Sequence, residues 1–300
     1  MAAKGQQFAG CTVALVTPFR DGAVDEASLR RLVDWQIEQG TPTISPVGTT
    51  GESPTLAHDE HQRVISIVVE QVAGRARVLA GTGSNATAEA VRLTRFAAQA
   101  GADGALIVSP YYNRPTQEGL YAHYARVAES CDLPIMLYNV PSRTGRNLEP
   151  ETVERLARLA PVVAIKEAAG SLDQVSDILA RCPGITVVSG DDSLTPPMMA
   201  VGAPASARWS PTSCRRDGDD RRLPQGRRRG ARKHHARLFL LCRDLLGAGP
   251  NPGPAQGRPG PAVASDELRL LSPPTTPRPA WASLSGYGLT LRSRSYAGQA

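Results

Sequence analysis

The strongest constraint in this sequence is a repeat of pattern. Short apolar, β-rich runs alternate with amphipathic stretches of helical period from Cys11 to about Ser189. The runs Cys11–Val16, Thr43–Val47, Val78–Ala80, Ala105–Val108, Ile135–Tyr138, Val162–Ile165 and Thr186–Val188 begin about 24 to 35 residues apart, the length of a strand, a crossover helix and two loops. Between them, Leu29, Leu32, Val33 and Ile37 share one helical face, as do Val64, Ile67 and Val68, and Val153, Leu156 and Leu159. Ser28, Asp59 and Asn147 are candidate helix starts or caps. Strands that are apolar on both faces require helices on both sides of a parallel sheet, or outside a closed one. The doubly wound alternative would carry a Gly-rich phosphate loop after its first strand, where this chain has Thr17-Pro18-Phe19-Arg20. The expected fold is therefore α/β, a (β/α)8 TIM barrel, whose active site must lie at the carboxyl ends of the strands.

Those strand ends hold the candidate chemistry. The chain has only three lysines, Lys4, Lys166 and Lys233, and uses arginine for almost every other cation. Lys166 follows Val162-Val163-Ala164-Ile165 and so should project at the mouth of the barrel from the sixth strand. Arginine stays protonated, whereas a desolvated lysine can attack a carbonyl and form a Schiff base. An ion pair with Glu167 is the plain structural alternative. The other strand ends are also polar: GTTGES from Gly48, SPYYN from Ser109, YNVPSRTG from Tyr138 and SGDD from Ser189. Small residues and hydroxyls in the first of these can bind a carboxylate.

The strings GTTGES, SPYYNRPTQEGLY, YNVPSRTG, IKEAAG and SGDD, in this order, resemble those of the dihydrodipicolinate synthase family, from Phe8 to about Gly202. The resemblance implies a lyase, without a cofactor, that condenses pyruvate with L-aspartate 4-semialdehyde in lysine biosynthesis. It gives Lys166 the imine, Tyr138 the proton transfers, and Thr50 or its neighbour Thr49, with Tyr112, a proton relay in which the tyrosine comes from a partner subunit. Thr50, Arg143 and Gly190 would bind substrate, Arg143 through a two-pronged contact with a carboxylate that lysine could not reproduce. The resemblance further implies a homo-oligomer, a dimer of dimers. It also implies feedback inhibition by L-lysine at Ser53, Pro54, His58, His61, Asn85, Glu89 and Tyr111. Physically, Glu89 can pair with an ammonium group, and Asn85 and Tyr111 can bond a carboxylate. Ordinary surface polarity is the competing account of that set. Another pyruvate-dependent aldolase, such as N-acetylneuraminate lyase or a keto-deoxy sugar acid aldolase, is the alternative reaction.

The chain divides at about residue 202. Residues 1–200 hold 17 Lys and Arg against 22 Asp and Glu, and the remainder 17 against 6, so all the excess basicity lies in the last third. Units one to seven, with the active site, are assigned to 1–202. The eighth unit and a C-terminal helical extension are expected in 203–300, with both disrupted by the aberrant composition. Likeness to the family returns in the amphipathic segment Ala236–Leu246, which suggests that much of the remainder is read out of frame. A basic but motif-less tail would at most suggest an inactive or nucleic-acid-binding protein, and no nucleic-acid partner is expected. No apolar run reaches the ~20 residues of a membrane span, and no leader is evident, so a cytoplasmic protein with no membrane association is expected. The five cysteines show no metal-ligand spacing, so no metal and reduced thiols are expected.

Overall fold

The computed structural model describes residues 3–203 and the backbone of Ala205–Arg208. The chain passes through β1 (Cys11–Ala14), the hairpin strands β2 (Phe19–Arg20) and β3 (Ala23–Val24), α1 (Glu26–Glu38) and β4 (Thr43–Ser45). It continues through α2 (His58–Val72), β5 (Arg77–Gly81), α3 (Thr87–Ala100), β6 (Gly104–Val108), α4 (Gln117–Ala128) and β7 (Ile135–Asn139). A single turn, α5 (Pro141–Thr144), precedes α6 (Pro150–Ala157), β8 (Val162–Glu167), α7 (Leu172–Arg181), β9 (Thr186–Ser189), α8 (Thr195–Ala200) and β10 (Ala205–Arg208). Eight parallel strands close in the order β1-β10-β9-β8-β7-β6-β5-β4.

All seven anticipated strands are present, most shifted by one or two residues at an end. Helices pack outside them, burying Leu29, Leu32 and Val33 from α1, Val64, Ile67 and Val68 from α2, and Val153 and Leu156 from α6. The caps differ from expectation. Asp25 caps α1 by accepting from the Ser28 N–H at 2.9 Å, so Ser28 lies one turn inside. Asp59 likewise sits in the first turn of α2, where Glu60 accepts from the Ala57 N–H. Asn147 caps nothing and joins a buried polar network described below.

The expected disruption of the eighth strand is corrected at the backbone level. Ser206 and Ala207 align with Cys11 and Thr12 of β1, while Ala205 and Ser206 align with Val188 and Ser189 of β9. Without that strand, β1 and β9 would each leave a row of unpaired N–H and C=O groups, which favours closure by any segment that can extend there. The anticipated C-terminal helical extension lies outside the described residues. Cys131 and Cys182 are free thiols. Cys11 is disulfide-bonded, which corrects the reduced-thiol expectation at that position. No described helix is long and apolar enough to cross a membrane.

Candidate active site

Lys166 occupies the penultimate position of β8, with its side chain in the barrel lumen. Its Cα is level with Tyr138 on β7 and Val188 on β9. The residue is 8 % exposed, and its Nζ stands 4.4 Å from the centroid of the Tyr138 ring. Among the described residues Lys166 has no ion-pair partner. The anticipated alternative, a bridge to Glu167, is absent because successive side chains on a strand point to opposite faces. Glu167 turns outward, where it accepts from Asn139 and Gln174.

The neighbouring strand end supplies room and charge. A Cβ at Gly190 would fall 2.8 Å from the Ala168 Cβ and 3.2 Å from the Lys166 Cε, so only glycine lets the end of β9 run this close to the lysine. The Gly190 N–H donates to the Glu167 carbonyl at 2.7 Å. Next to it, burial pushes the Asp191 carboxyl above its usual range, and the Lys166 cation draws it back down. Asp191 therefore feels the charge of the lysine, a placement for which the SGDD string gave no signal beyond its polarity.

Thr49 and Thr50 lie in the tight turn after β4. The turn is closed by Gly51 N–H to Gly48 C=O at 3.1 Å and Glu52 N–H to Thr49 C=O at 3.1 Å. The Thr17 hydroxyl anchors it by donating to the Gly51 carbonyl at 2.7 Å. Both threonines are partly buried, and neither is hydrogen-bonded to Tyr138. Tyr112 has φ 70° and is 91 % exposed, so it stands outside this chain's own lumen. With Tyr111, Arg114, Arg143 and Gly145 it lines an open cleft of about 620 Å³. Arg143 is exposed on the one-turn helix after β7.

The second anticipated cluster is only partly assembled. His58 Nδ1 lies 2.7 Å from Glu89 Oε1, and Glu89 Oε2 accepts from the Ser84 hydroxyl at 2.7 Å. Asn113 donates through Nδ2 to the Asn85 carbonyl, and Arg92 approaches Glu89 at 3.6 Å. Ser84, Asn113 and Arg92 were not anticipated. Asn113 arrives from a separate loop and leaves no trace in local pattern, whereas Arg92, one helical turn after Glu89, and Ser84, five residues before it, are local contacts that the spacing could have signalled. His61 is buried, its Nε2 is 2.8 Å from the Gly81 carbonyl, and burial pushes its pKa down, so it serves the core rather than the surface. Ser53 and Pro54 form a short turn just before α2. Tyr111 lines the cleft around Tyr112.

A closed eight-stranded barrel with a buried lysine at the carboxyl-terminal mouth defines the class of (β/α)8 enzymes equipped for Schiff-base chemistry. The sequence profile of the Dihydrodipicolinate synthetase family matches residues 7–252, and the chain belongs to that family. The 4-hydroxy-tetrahydrodipicolinate synthase of Pelobacter propionicus is 62% identical over 197 residues, 65% of this chain and 68% of the relative. That of Syntrophobacter fumaroxidans is 50% identical over 277 residues, 90% of this chain and 94% of the relative. Likeness to the family therefore does not end at Gly202. Among solved structures, DHDPS from Cyanidioschyzon merolae with lysine bound has a TM-score of 0.77 at 38% identity, covering 82% of this chain and 85% of that one.

Proposed function

We propose that the protein condenses pyruvate with L-aspartate 4-semialdehyde through a Schiff base on Lys166, giving 4-hydroxy-tetrahydrodipicolinate for lysine biosynthesis. The observation that carries the reading is the buried Lys166 amine, without an ion-pair partner among the described residues and stacked over Tyr138. The amine adds to the keto carbon of pyruvate, and water leaves as the iminium forms. Loss of a methyl proton then gives an enamine, whose carbon attacks the aldehyde; the semialdehyde's own amine then attacks the imine carbon, closing the ring and expelling the Lys166 amine. Each step moves a proton near neutral pH. Tyr138, whose ring lies under the Lys166 amine, is a group that can hold and return one.

The turn containing Thr49 and Thr50 would hold the pyruvate carboxylate, beside Gly190. Arg143 would grip the carboxylate of the semialdehyde at the cleft. Tyr112, 91 % exposed, suits a relay completed in a neighbouring subunit and so fits a homo-oligomer, for which the family resemblance implies a dimer of dimers. The curated relatives' shared name favours the synthase over other pyruvate-dependent aldolases. A cytoplasmic location fits this metabolic role.

Borohydride reduction in the presence of pyruvate tests the reading. A reduced pyruvyl group should be found on Lys166 by peptide mass mapping. Adducts on Lys4, which pairs with Ile185 away from the site, would sink it.

A specific observation favours a second property, regulation by L-lysine. Glu89 and Asn85 stand close together near His58, and a related enzyme binds lysine. An incoming ammonium group would have to displace His58 or Arg92 from Glu89.

A further inference from the structure

Glu167 is 1 % exposed, and among the described residues no cation pairs with it. Four hydrogen bonds converge on its carboxylate, all from neutral donors. Asn139 Nδ2 reaches both oxygens, at 3.1 and 3.0 Å. Gln174 Nε2 donates to Oε2 at 3.1 Å, and the Ala169 N–H to Oε1 at 2.7 Å. Burial pushes the carboxyl upward, these three donors pull it down, and Asp191 adds to the rise. Isolating a carboxylate in this way is costly before its hydrogen bonds are counted, and an apolar side chain of similar volume would usually serve stability as well or better. Packing alone does not account for it.

Its position suggests what does. Asn139 and Glu167 are directly paired across β7 and β8, and the next pair toward the start of the strands is Tyr138 and Lys166. The outer pair is cross-linked by the carboxylate, and the inner pair carries the chemistry. Asn139 extends the link, accepting from the Leu148 N–H at 3.0 Å and donating to Asn147 Oδ1 at 2.9 Å. Asn147 in turn donates to Gln174 Oε1 at 2.8 Å. One carboxylate thus ties together the lysine strand, the tyrosine strand, the turn after Lys166 and the segment returning from Arg143.

We propose that Glu167 is a positioning residue for imine formation: from outside the barrel, its carboxylate clamp on Asn139, Ala169 and Gln174 holds Lys166 Nζ over the Tyr138 ring. The inference rests on the Schiff-base reading of Lys166. Glutamine in its place would turn one acceptor into a donor facing donors and loosen the clamp. Small losses of alignment at a reacting pair cost rate steeply.

The test is rapid-quench borohydride trapping on the full chain, following the rate constant and final extent of pyruvyl labelling at Lys166. Glu167→Gln is expected to slow labelling at saturating pyruvate by roughly ten- to a hundred-fold, with the half-saturating pyruvate concentration and final extent within about three-fold of wild type. An unchanged rate constant, or a reduced final extent at an unchanged rate constant, would show a merely structural role and overturn the proposal. If Glu167→Gln does not fold, Gln174→Ala removes one donor from the more tolerant helix side. It should slow labelling by about three- to ten-fold, and an unchanged rate constant there also overturns the proposal. A wild type that takes no label on Lys166 sinks both this inference and the Schiff-base reading, whereas Glu167→Gln reacting at the wild-type rate sinks only this one.

Discussion

The two ends of the barrel lumen are built from the same strands yet have opposite characters. At one end, Phe8 from the N-terminal segment is fully buried with Leu79, Leu106, Met136 and Ala164. A Cβ at Gly104 would lie 2.6 Å from the Phe8 Cζ, so the ring fills space that any other residue at 104 would occupy. At the other end stand Tyr138 and Lys166. The change takes two residues on each strand, from Met136 to Tyr138 on β7 and from Ala164 to Lys166 on β8, because alternate residues share a face. The sealed floor holds the strands in register, and the mouth can then keep a desolvated lysine without filling the space before it. Stability and chemistry are thereby separated along a single axis.

The most severe break in the comparison is at the mouth. Lys166→Ala should eliminate pyruvate-dependent labelling and activity while leaving a cooperative melt. Activity assays with parallel calorimetry check this, and a large loss of melting temperature would mean that the lysine also supports the fold. The opposite pattern is expected at the floor. Phe8→Ala should cost about 3–5 kcal/mol of stability, as for other buried aromatic truncations, with the labelling rate at Lys166 little changed in protein that remains folded. Denaturant unfolding measures the first effect and borohydride trapping the second.

The outer shell provides a pH-dependent contrast with both ends. Burial pushes the pKa of His123 down to about 4. Its Nδ1 meets the Thr87 hydroxyl at 2.9 Å, and its buried Nε2 has no partner. The folded state therefore favours neutral imidazole, and its contribution is present above about pH 6.5, the unfolded value. It falls away as the pH drops toward 4, by up to about 3 kcal/mol from linkage. His123→Gln should reduce the fall in melting temperature between pH 7 and 4 relative to wild type, with His61, Glu167 and Asp191 still contributing in both proteins, and identical pH profiles would refute the assignment.

Two smaller effects refine the mouth. Arg143→Ala should weaken use of the semialdehyde by roughly ten- to a hundred-fold, about 1.5–3 kcal/mol for a lost charged contact, with pyruvate imine formation largely retained. Equal losses in the two steps would make Arg143 structural. L-lysine binding should appear in calorimetric titration and weaken in Glu89→Ala, with a coupling to pyruvate of about 1–3 kcal/mol. Equal binding by both proteins would move the regulatory site elsewhere.

The seven strand–helix units were legible because each strand is a short apolar run bounded by turn residues, and each helix carries its apolar stripe at the right period. Lys166 and Tyr138 were legible for the same reason, since a strand end in a parallel barrel is a position that sequence alone can assign. Closure by Ala205–Arg208 was not legible. That segment is poor in the large β-branched residues that advertise a strand, and it is held by pairing with β1 and β9. Nor could local pattern show that His61 is a core residue bonded to Gly81, or that His58 and Glu89 meet from different helices.

The sequence by itself determined the repeat, the barrel and the lysine at the end of its sixth strand, because these follow from periodicities of two and 3.6 residues and from chain order. Only the tertiary structure decided which partners the polar groups took. Lys166 and Glu167 are adjacent in sequence and look like an ion pair, yet the pleat sends them to opposite sides of the barrel wall. There one meets Tyr138 and the other meets Asn139 and Gln174. Partnership depends on distances between elements that fold together from remote parts of the chain, and local pattern does not encode those distances.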